Sequence, residues 1–224
     1  MSELLAVLQA TPWGKLLNAD ELRRAAADTF EKRVASGSHV CRKGEPVEAW
    51  IGVLDGLVKM SSLSPEGKPV TFTGLPTGGW FGEGSLLKHP EARRYDVVAL
   101  RDSQVAFMTR AAFMRLIDSS IAFNRFLLKQ LNERLGQFIA IVEYDRLLDP
   151  DARVARCLAQ LYNPILYPGT AAQLQLSQEE IGYLSGVSRQ RANQALQVLE
   201  KAGLLTVEYG GVRVLDVEGL KRFG

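Results

Sequence analysis

The chain has 224 residues, of which 46% are hydrophobic and 23% are charged. This composition is close to that of an average globular protein and argues against disorder. The 27 basic and 25 acidic residues leave a net charge of +2, so any nucleic-acid binding would depend on local placement of charge and not on a polycationic tail. At roughly 150 residues per domain, the length fits one large domain or two unequal ones.

The N-terminal sequence has neither a basic start nor an uninterrupted apolar run, and no segment approaches 18 consecutive apolar residues. These features predict neither a signal peptide nor a membrane span. We therefore expect a cytoplasmic protein with reduced thiols and no membrane partner.

Two cysteines, Cys41 and Cys157, and two histidines, His39 and His89, are too few for several kinds of site. They exclude a disulfide framework, a cysteine-ligated iron–sulfur cluster and a three-histidine zinc site. His39 and Cys41 are two residues apart, which predicts one shared strand face, but two ligands do not complete a metal site. A cupin-like metal enzyme would need a histidine cluster, so we predict no metal, no catalytic residue and no enzyme.

Residues from about 34 to 108 have the pattern of a β domain. Frequent glycines separate short apolar runs such as Trp50–Leu54 and Leu57–Met60. Many short strands between turn signals favour an antiparallel sandwich or barrel. Pro65–Lys68 predicts a turn, and residues 1–33 predict a helical lead-in.

From about residue 110 to 147 the apolar residues follow a helical period. Their alternating spacing of three and four is that of a coiled-coil seam and favours a parallel helix pair between two chains. The alternative is a helix packed on its own β domain. Gly136 would permit close approach of a partner helix or a ligand. The predicted dimer interface comprises Leu128, Leu131, Leu135, Phe138 and Val142.

Helix-start signals mark the C-terminal region. Asp149 and Pro150 suit the N-cap and the first position of a helix over residues 151–162. Ser177 opens a capping box for a short helix. Ser188 caps a longer helix over residues 189–202, which ends before Gly203. Residues 205–208 and 212–215 then predict a hairpin.

Two helices joined by a glycine-containing turn and followed by a two-stranded wing describe a winged helix-turn-helix, whose second helix can enter a DNA major groove. Arg189 can contact guanine, and Gln190 and Gln194 can pair with adenine. Ser188 and Arg191 suit phosphates. The alternative is a helical hairpin with a solvated polar face. The predicted DNA contacts are Ser177, Ser188, Arg189, Gln190, Arg191, Asn193 and Gln194.

Residues 176–205, LSQEEIGYLSGVSRQRANQALQVLEKAGLL, resemble the DNA-binding domain of the Crp–Fnr superfamily of bacterial transcription regulators. The resemblance extends over nearly the whole chain and implies an α+β protein. Its parts would be an N-terminal antiparallel β-roll of the cyclic-nucleotide-binding jelly-roll type (1–109), a long dimerisation helix (110–148) and a C-terminal winged helix-turn-helix (149–224).

The resemblance also implies a homodimer that binds a palindromic site in double-stranded DNA, with RNA polymerase as a partner. The family's recognition helix carries an Arg-Glu pair and a later arginine, whereas this chain has Arg189, Gln190 and Gln194. Glutamine donates as well as accepts hydrogen bonds, so we expect an altered half-site.

Residues 80–98, WFGEGSLLKHPEARRYDVV, resemble the family's phosphate-binding cassette. Backbone N–H groups at a short helix start can cradle a phosphate. Glu83 can accept a hydrogen bond from a ribose hydroxyl, and Arg93 can neutralise the phosphate. The resemblance adds Arg134, from the dimer helix. The predicted effector-binding set is Gly82, Glu83, Gly84, Ser85, Leu86, Arg93, Arg94, Arg134 and Phe138.

This cassette departs from the pattern of the cyclic-AMP-binding members. Arg94 replaces a small hydroxyl residue, and Phe138 and Ile139 replace two hydroxyl residues that face adenine. Arg94 would favour a more anionic ligand or pair with Glu91 or Asp96. The effector therefore stays open among cyclic AMP, cyclic GMP, a cyclic dinucleotide or a similar anion. An effector-independent DNA-binding dimer with a degenerate pocket is the alternative.

Overall fold

The computed structural model describes residues 3–63, 69–88, 92–170 and 172–224. The predicted turn at Pro65–Lys68 and two residues discussed above, His89 and Glu91, lie outside these ranges. Within them, the α+β class is confirmed: short helices lead into antiparallel sheets, a long helix follows, and a helix-turn-helix unit lies in the C-terminal region.

The helical lead-in is shorter than predicted. Helix α1 spans Glu3–Ala10, a short 3-10 helix spans Gly14–Leu16 and α2 spans Ala19–Ala27. Strand β1, Thr29–Val34, then begins inside the range expected to be helical. The four central residues of β1 are all exposed, so the strand lacks the alternation of buried and exposed residues that would have predicted it.

Two four-stranded antiparallel sheets form the β-roll, with strand orders β1-β8-β3-β6 and β2-β7-β4-β5. Apolar side chains from both sheets meet in one core that includes Val53, Val58 and Val97, as predicted for a sandwich. The remaining strands are β2 (His39–Cys41), β3 (Ala49–Asp55), β4 (Leu57–Leu63), β5 (Pro69–Pro76), β6 (Trp80–Phe81), β7 (Asp96–Ala99) and β8 (Ser103–Thr109).

The prediction that His39 and Cys41 share a strand face is wrong. The pairing of β2 with β7 shifts between these residues, so that His39 faces Val98 and Cys41 faces Val97. This irregularity turns the two side chains apart: His39 is exposed, whereas Cys41 is buried. Among the described residues, no group of three or more His, Cys, Asp or Glu could hold a metal ion.

One short helix lies in the cassette segment, and two more cover the range from about 110 to 147. Helix α3, Glu83–Leu87, lies between β6 and β7, and α4, Arg110–Ser119, follows β8. The long helix α5, Ile121–Leu147, begins at Ser120, whose hydroxyl accepts a hydrogen bond from the Phe123 N–H. The helix predicted over 110–147 is therefore two helices, because Ser120 acts as an N-cap.

The C-terminal region contains the predicted helix-turn-helix and a larger wing than predicted. The predicted caps at Asp149, Ser177 and Ser188 are confirmed by hydrogen bonds to the first backbone N–H groups of their helices. A third strand, β9, extends the hairpin sheet. The elements are α6 (Pro150–Gln160), β9 (Gln173–Leu174), α7 (Gln178–Ser185), α8 (Arg189–Lys201), β10 (Leu205–Glu208), β11 (Gly211–Val214) and α9 (Val217–Arg222).

In the described part of the chain, no helix is both long and apolar enough to cross a membrane.

Candidate effector pocket and DNA-reading helix

A cavity of about 300 Å³ lies between the cassette and helix α5. It brings together seven of the nine predicted effector-binding residues and leaves out Leu86 and Arg93. Its lining residues are Met60, Gly82, Glu83, Gly84, Ser85, Lys88, Arg94, Tyr95, Leu131, Arg134 and Phe138.

A buried ion pair crosses this cavity from the cassette to α5. The Arg134 Nε donates to Glu83 Oε1 at 3.0 Å, and Arg134 Nη2 donates to the Trp80 carbonyl at 2.6 Å. Burial is the largest single influence and lowers the pKa of Arg134, but the charge of Glu83, the nearby Tyr167 and the hydrogen bond to Glu83 together outweigh it, so the pKa is raised overall. Arg134 therefore stays cationic, and α5 is tied to the cassette through a charge-assisted contact.

The second oxygen of Glu83 is held by a residue that sequence reasoning missed. The indole Nε1 of Trp50 donates to Glu83 Oε2 at 3.3 Å. Trp50 is fully buried and lies in an aromatic cluster with Trp13 and Trp80, with ring centroids 5.4 and 4.5 Å from its own. Trp50 is remote from the cassette in sequence, so no local motif connects it to Glu83.

Leu86 and Arg93 do not contact the cavity in the way predicted. The Leu86 N–H already donates to the Gly82 carbonyl, and its side chain is buried in the core, so it cannot cradle a phosphate. Arg93 is buried and its Nη2 donates to the Ala49 carbonyl at 3.2 Å. Gly82 has a φ of +94°, and a Cβ on it would lie 3.1 Å from Arg93 Nη1. Arg93 therefore links Gly82 of the cassette to β3 and is not among the residues that line the cavity.

The cavity contains two polar residues of the cassette that the prediction omitted. Lys88 is exposed just after α3, and Tyr95 is partly buried. Burial, with a smaller contribution from Glu83, raises the pKa of Tyr95 to about 12, so its hydroxyl remains a donor at neutral pH. Both lie within residues 80–98 and could have been found there by residue type, whereas Met60 comes from a distant strand.

The predicted seam on α5 divides between two surroundings. Leu131 and Phe138 turn towards the effector cavity. Leu128, Leu135 and Val142 are 67%, 60% and 52% exposed, so they lie on the outer face of α5. A Cβ on Gly136 would meet nothing within 4 Å, so no close approach by the described residues of this chain requires the glycine.

Helix α8 presents part of the predicted DNA-contacting set to solvent. Arg189, Gln190 and Gln194 are exposed, as is Gln197, which the sequence analysis omitted. Gln190, Gln194 and Gln197 share one face because their spacing is four and three. This face could contact base edges in a groove.

The other predicted DNA contacts have partners inside the chain. Arg191 Nη1 forms an ion pair with Asp151 Oδ1 at 2.7 Å, and this hydrogen bond raises the pKa of Arg191. Asn193 Oδ1 accepts a hydrogen bond from Gln178 Nε2 at 2.9 Å. Ser177 and Ser188 cap their helices. These contacts hold α8 against α6 and α7.

Comparison with known protein families assigns a domain to each of the two regions described above. A family model described as the cyclic nucleotide-binding domain matches residues 31–120. A second, described as the Crp-like helix-turn-helix domain, matches residues 152–223. The chain belongs to the Crp–Fnr superfamily. It is a Crp-like transcription regulator with a cyclic nucleotide-binding domain and a helix-turn-helix domain.

Named relatives of this Crp–Fnr regulator cover most of its length. The cAMP-activated global transcriptional regulator CRP of Haemophilus influenzae is 28% identical over 75% of this chain and 76% of its own. The cAMP-activated global transcriptional regulator Vfr of Pseudomonas aeruginosa is 28% identical over 87% of this chain and 92% of its own.

Solved structures share the fold of this regulator. FixK2 from Bradyrhizobium japonicum superposes with a TM-score of 0.71 at 19% identity, over 86% of this chain and 96% of that one. The c-di-GMP responsive global regulator CLP of Xanthomonas campestris gives a TM-score of 0.63 at 23% identity, over 88% of this chain and 99% of that one.

Proposed function

We propose that this Crp–Fnr regulator works in the cytoplasm as a homodimer that binds a palindromic DNA site under control of an anionic cyclic nucleotide. The observation that carries the proposal is the cavity at Glu83 and Arg134, which lies between the cassette and helix α5. We predict the outer face of the same helix to be shared between chains. Contact with RNA polymerase, as is typical of the family, belongs to the same proposal.

The charges around the cavity favour an anionic ligand. Lys88, Arg94 and Arg134 line it against one carboxylate, that of Glu83. Arg134 Nη1 is buried and has no hydrogen-bond partner among the described residues, so a phosphate oxygen would satisfy it. The backbone N–H of Gly84, at the start of α3, adds a further donor.

The size of the cavity favours a mononucleotide. A volume of about 300 Å³ is at the lower end of the range for small-molecule sites. Cyclic AMP or cyclic GMP therefore fits better than a cyclic dinucleotide. Phe138 and Met60 offer apolar surface to the base. Phe138 and Ile139 have no polar side-chain group that could hydrogen-bond to the edge of the base, so we expect weak discrimination between bases.

The outer face of α5 supports the homodimer. Four large apolar side chains on it, Leu128, Leu135, Ile139 and Val142, are each at least half exposed. Contiguous exposed apolar surface of this kind marks an interaction site. A second α5 packed in parallel would cover it, and would place the two α8 helices for successive major grooves about 34 Å apart.

The proposed control of DNA binding by the ligand depends on α5, which lines the effector cavity and also carries the proposed dimer face. A phosphate bound at Arg134 would compete with Glu83 for the guanidinium and change how α5 lies on the cassette. Because Leu131 and Leu135 are on neighbouring turns of α5, that change would reach the helix pair and alter the spacing of the two reading helices.

Isothermal titration calorimetry with cyclic AMP, cyclic GMP and cyclic di-GMP tests the ligand. We expect binding at micromolar or better for a mononucleotide, at least tenfold weaker in Arg134→Gln. Arg33→Gln, which removes an exposed cation of β1, is the control and should bind like the wild type. Binding unchanged in Arg134→Gln would contradict the pocket assignment.

A second function is an effector-independent DNA-binding dimer. One observation favours it: Glu83 and Arg134 form a buried ion pair at 3.0 Å within the cavity. No heat with any of the three nucleotides, together with specific DNA binding by the untreated protein, would select this alternative.

DNA recognition is tested separately by fluorescence anisotropy on promoter fragments selected by the wild-type protein. Arg189→Ala should weaken specific binding by about 1–3 kcal/mol, the range for a bidentate base contact. Lys201→Ala removes a cation from the opposite end of α8 and should leave the preference between specific and random DNA unchanged. Equal effects of the two variants would exclude Arg189 as a base contact.

A further inference from the structure

The connection between α6 and β9 belongs to the C-terminal region but packs into the β-roll. We call residues 163–170 the docking segment. Leu166 and Tyr167 in this segment are 2% and 1% exposed, and both lie in the core formed by the two sheets of the β-roll. A surface connection would ordinarily leave such residues in solvent, so this one has a role in joining the two regions.

The docking segment is fixed at both ends by specific contacts. Asn163 Oδ1 accepts hydrogen bonds from the N–H groups of Ile165 and Leu166, both at 2.9 Å. The Asn163 amide donates to Glu133 Oε2 on α5 at 2.8 Å. At the other end, Gly169 passes the β5–β6 connection so closely that a Cβ on Gly78 would lie 3.3 Å from its nitrogen.

The hydroxyl of Tyr167 joins a buried polar network with α5. Gln137 Nε2 donates to Tyr167 Oη at 3.0 Å and to Thr73 Oγ1 at 3.1 Å. Tyr167 Oη lies 3.2 Å from Gln137 Oε1, to which it donates. Gln137 and Thr73 are themselves buried. Buried polar networks with every member satisfied have few alternative arrangements, so they fix the relative positions of the elements they join.

This network adjoins the effector cavity. Gln137 lies one helical turn after Arg134 on α5 and directly before Phe138, and both of those neighbours line the cavity. Thr73 pairs across the sheet with Met60, another lining residue. Burial lowers the pKa of Arg134, but Glu83 and then Tyr167 raise it, which agrees with Tyr167 lying close beneath the pocket.

We propose that Tyr167 is a positioning residue of the effector pocket, supplied by the C-terminal region, and that the docking segment connects the state of the pocket to the helix-turn-helix. The inference rests on the proposed effector pocket. Movement of Arg134 would shift the next turn of α5, and Gln137 would pass that shift to Tyr167. The docking segment leads through β9 directly into α7, so the reading head would respond.

Hydrogen exchange measured by mass spectrometry on the full chain tests this coupling without any ligand. Glu83→Gln perturbs the Arg134 contact while keeping the side-chain shape. In the wild-type background, we expect it to speed exchange several-fold in residues 163–170 and in α7. In the Tyr167→Phe background, the same substitution should change exchange there by less than twofold, because the connecting hydroxyl is absent.

Tyr162→Phe is the matched control. It removes a tyrosine hydroxyl that donates to the Ala172 carbonyl at 2.9 Å, near the docking segment but outside the β-roll core. The effect of Glu83→Gln should persist in this background. Gln137→Met tests the same connection from the α5 side, because it removes the hydrogen bonds of Gln137 to Tyr167 and Thr73. It should abolish the effect of Glu83→Gln on exchange, as Tyr167→Phe does.

The outcomes separate this inference from the proposed function. An effect of Glu83→Gln that is equal in the wild-type and Tyr167→Phe backgrounds, or absent from the wild type, would overturn the coupling. A chain that shows the coupling but binds none of the three nucleotides in calorimetry would instead overturn the proposed effector. If Tyr167 had only a structural role, Tyr167→Phe would change exchange by the same amount with and without Glu83→Gln. The two effects would then add, and the response to Glu83→Gln would not be suppressed.

Discussion

At the scale of single residues, the effector pocket depends on buried polar groups that satisfy one another. Glu83 is 1% exposed and accepts hydrogen bonds from Trp50 and Arg134 on separate oxygens. A buried carboxylate without donors would be costly, because desolvation penalises its charge. The pocket is therefore built from residues of β3, α3 and α5 that depend on one another, and loss of one partner leaves another unsatisfied.

Trp50→Phe should lower the free energy of unfolding more than Trp13→Phe. Both indoles are fully buried in the same aromatic cluster, so the loss of ring volume is similar. Only Trp50 donates to Glu83, whereas the Trp13 Nε1 has no partner among the described residues. We expect a difference of about 1.5–3 kcal/mol, the range for a hydrogen bond to a charged group, in urea unfolding at pH 7. Equal losses would contradict the Trp50–Glu83 contact.

Both thiols should react slowly in the folded protein. Burial raises the pKa of Cys41 to about 11, although Arg93 lowers it in part, and burial raises the pKa of Cys157 to about 12. Because pH 8 is well below both values, the thiols are protonated, and the thiol is the unreactive form. A disulfide-exchange reagent at pH 8 should modify both cysteines rapidly in urea and much more slowly in buffer. Rapid modification in buffer would contradict this burial.

At the scale of elements, α5 has two faces with different surroundings, and the apolar period alone did not separate them. Leu131 and Phe138 face the cavity, and Leu128, Leu135 and Val142 face outwards. A coiled-coil seam and a helix packed on its own domain were alternatives in the sequence analysis. The structure places one part of the seam in each environment, because residues seven apart on a helix share a face, whereas the two sets are offset from each other by three or four residues.

Leu128→Glu combined with Leu135→Glu should convert the proposed dimer into a 24.7-kDa monomer. Burying each leucine against a second chain contributes about 1.5–3 kcal/mol, and like charges would then face each other in a parallel pair. Sedimentation equilibrium at micromolar concentration measures the mass. Leu215→Glu, at a 56% exposed leucine outside α5, should leave the dimer intact. A wild-type monomer would refute the proposed interface.

At the scale of the whole molecule, the DNA-reading region carries little excess charge. Residues 151–224 contain eight Lys and Arg against seven Asp and Glu. Among the described residues, Arg191, Arg213 and Lys221 form ion pairs. Few are therefore left to neutralise phosphates, and a homodimer would offset this by presenting two reading helices.

We therefore expect DNA affinity to depend less on salt than it does for a strongly basic DNA-binding domain. Each neutralised phosphate contributes about −0.9 to the slope of log K against log salt concentration. A dimer with fewer than six such contacts should give a slope shallower than about −5 in anisotropy titrations between 50 and 200 mM salt. A steeper slope would mean that phosphate contacts, and not the polar face of α8, dominate binding.

Local signals in the sequence determined where the C-terminal helices begin and which segments line the cavity and form the helix-turn-helix. Asp149, Ser177, Ser188 and Gly203 act as predicted because capping depends on neighbouring backbone groups. Seven of the residues predicted for the pocket, from the cassette and α5, line one cavity. They were predicted from the resemblance to the family, whose members share this arrangement.

Only the tertiary structure decided which side chains complete those sites. Trp50 on Glu83, Met60 in the cavity wall and Tyr167 in the β-roll core come from elements far apart in the chain. Arg93 donates to the Ala49 carbonyl of β3, a partner that lies 44 residues earlier in the chain. Such contacts depend on how elements pack over long sequence separations, and neither period nor local motif carries that information.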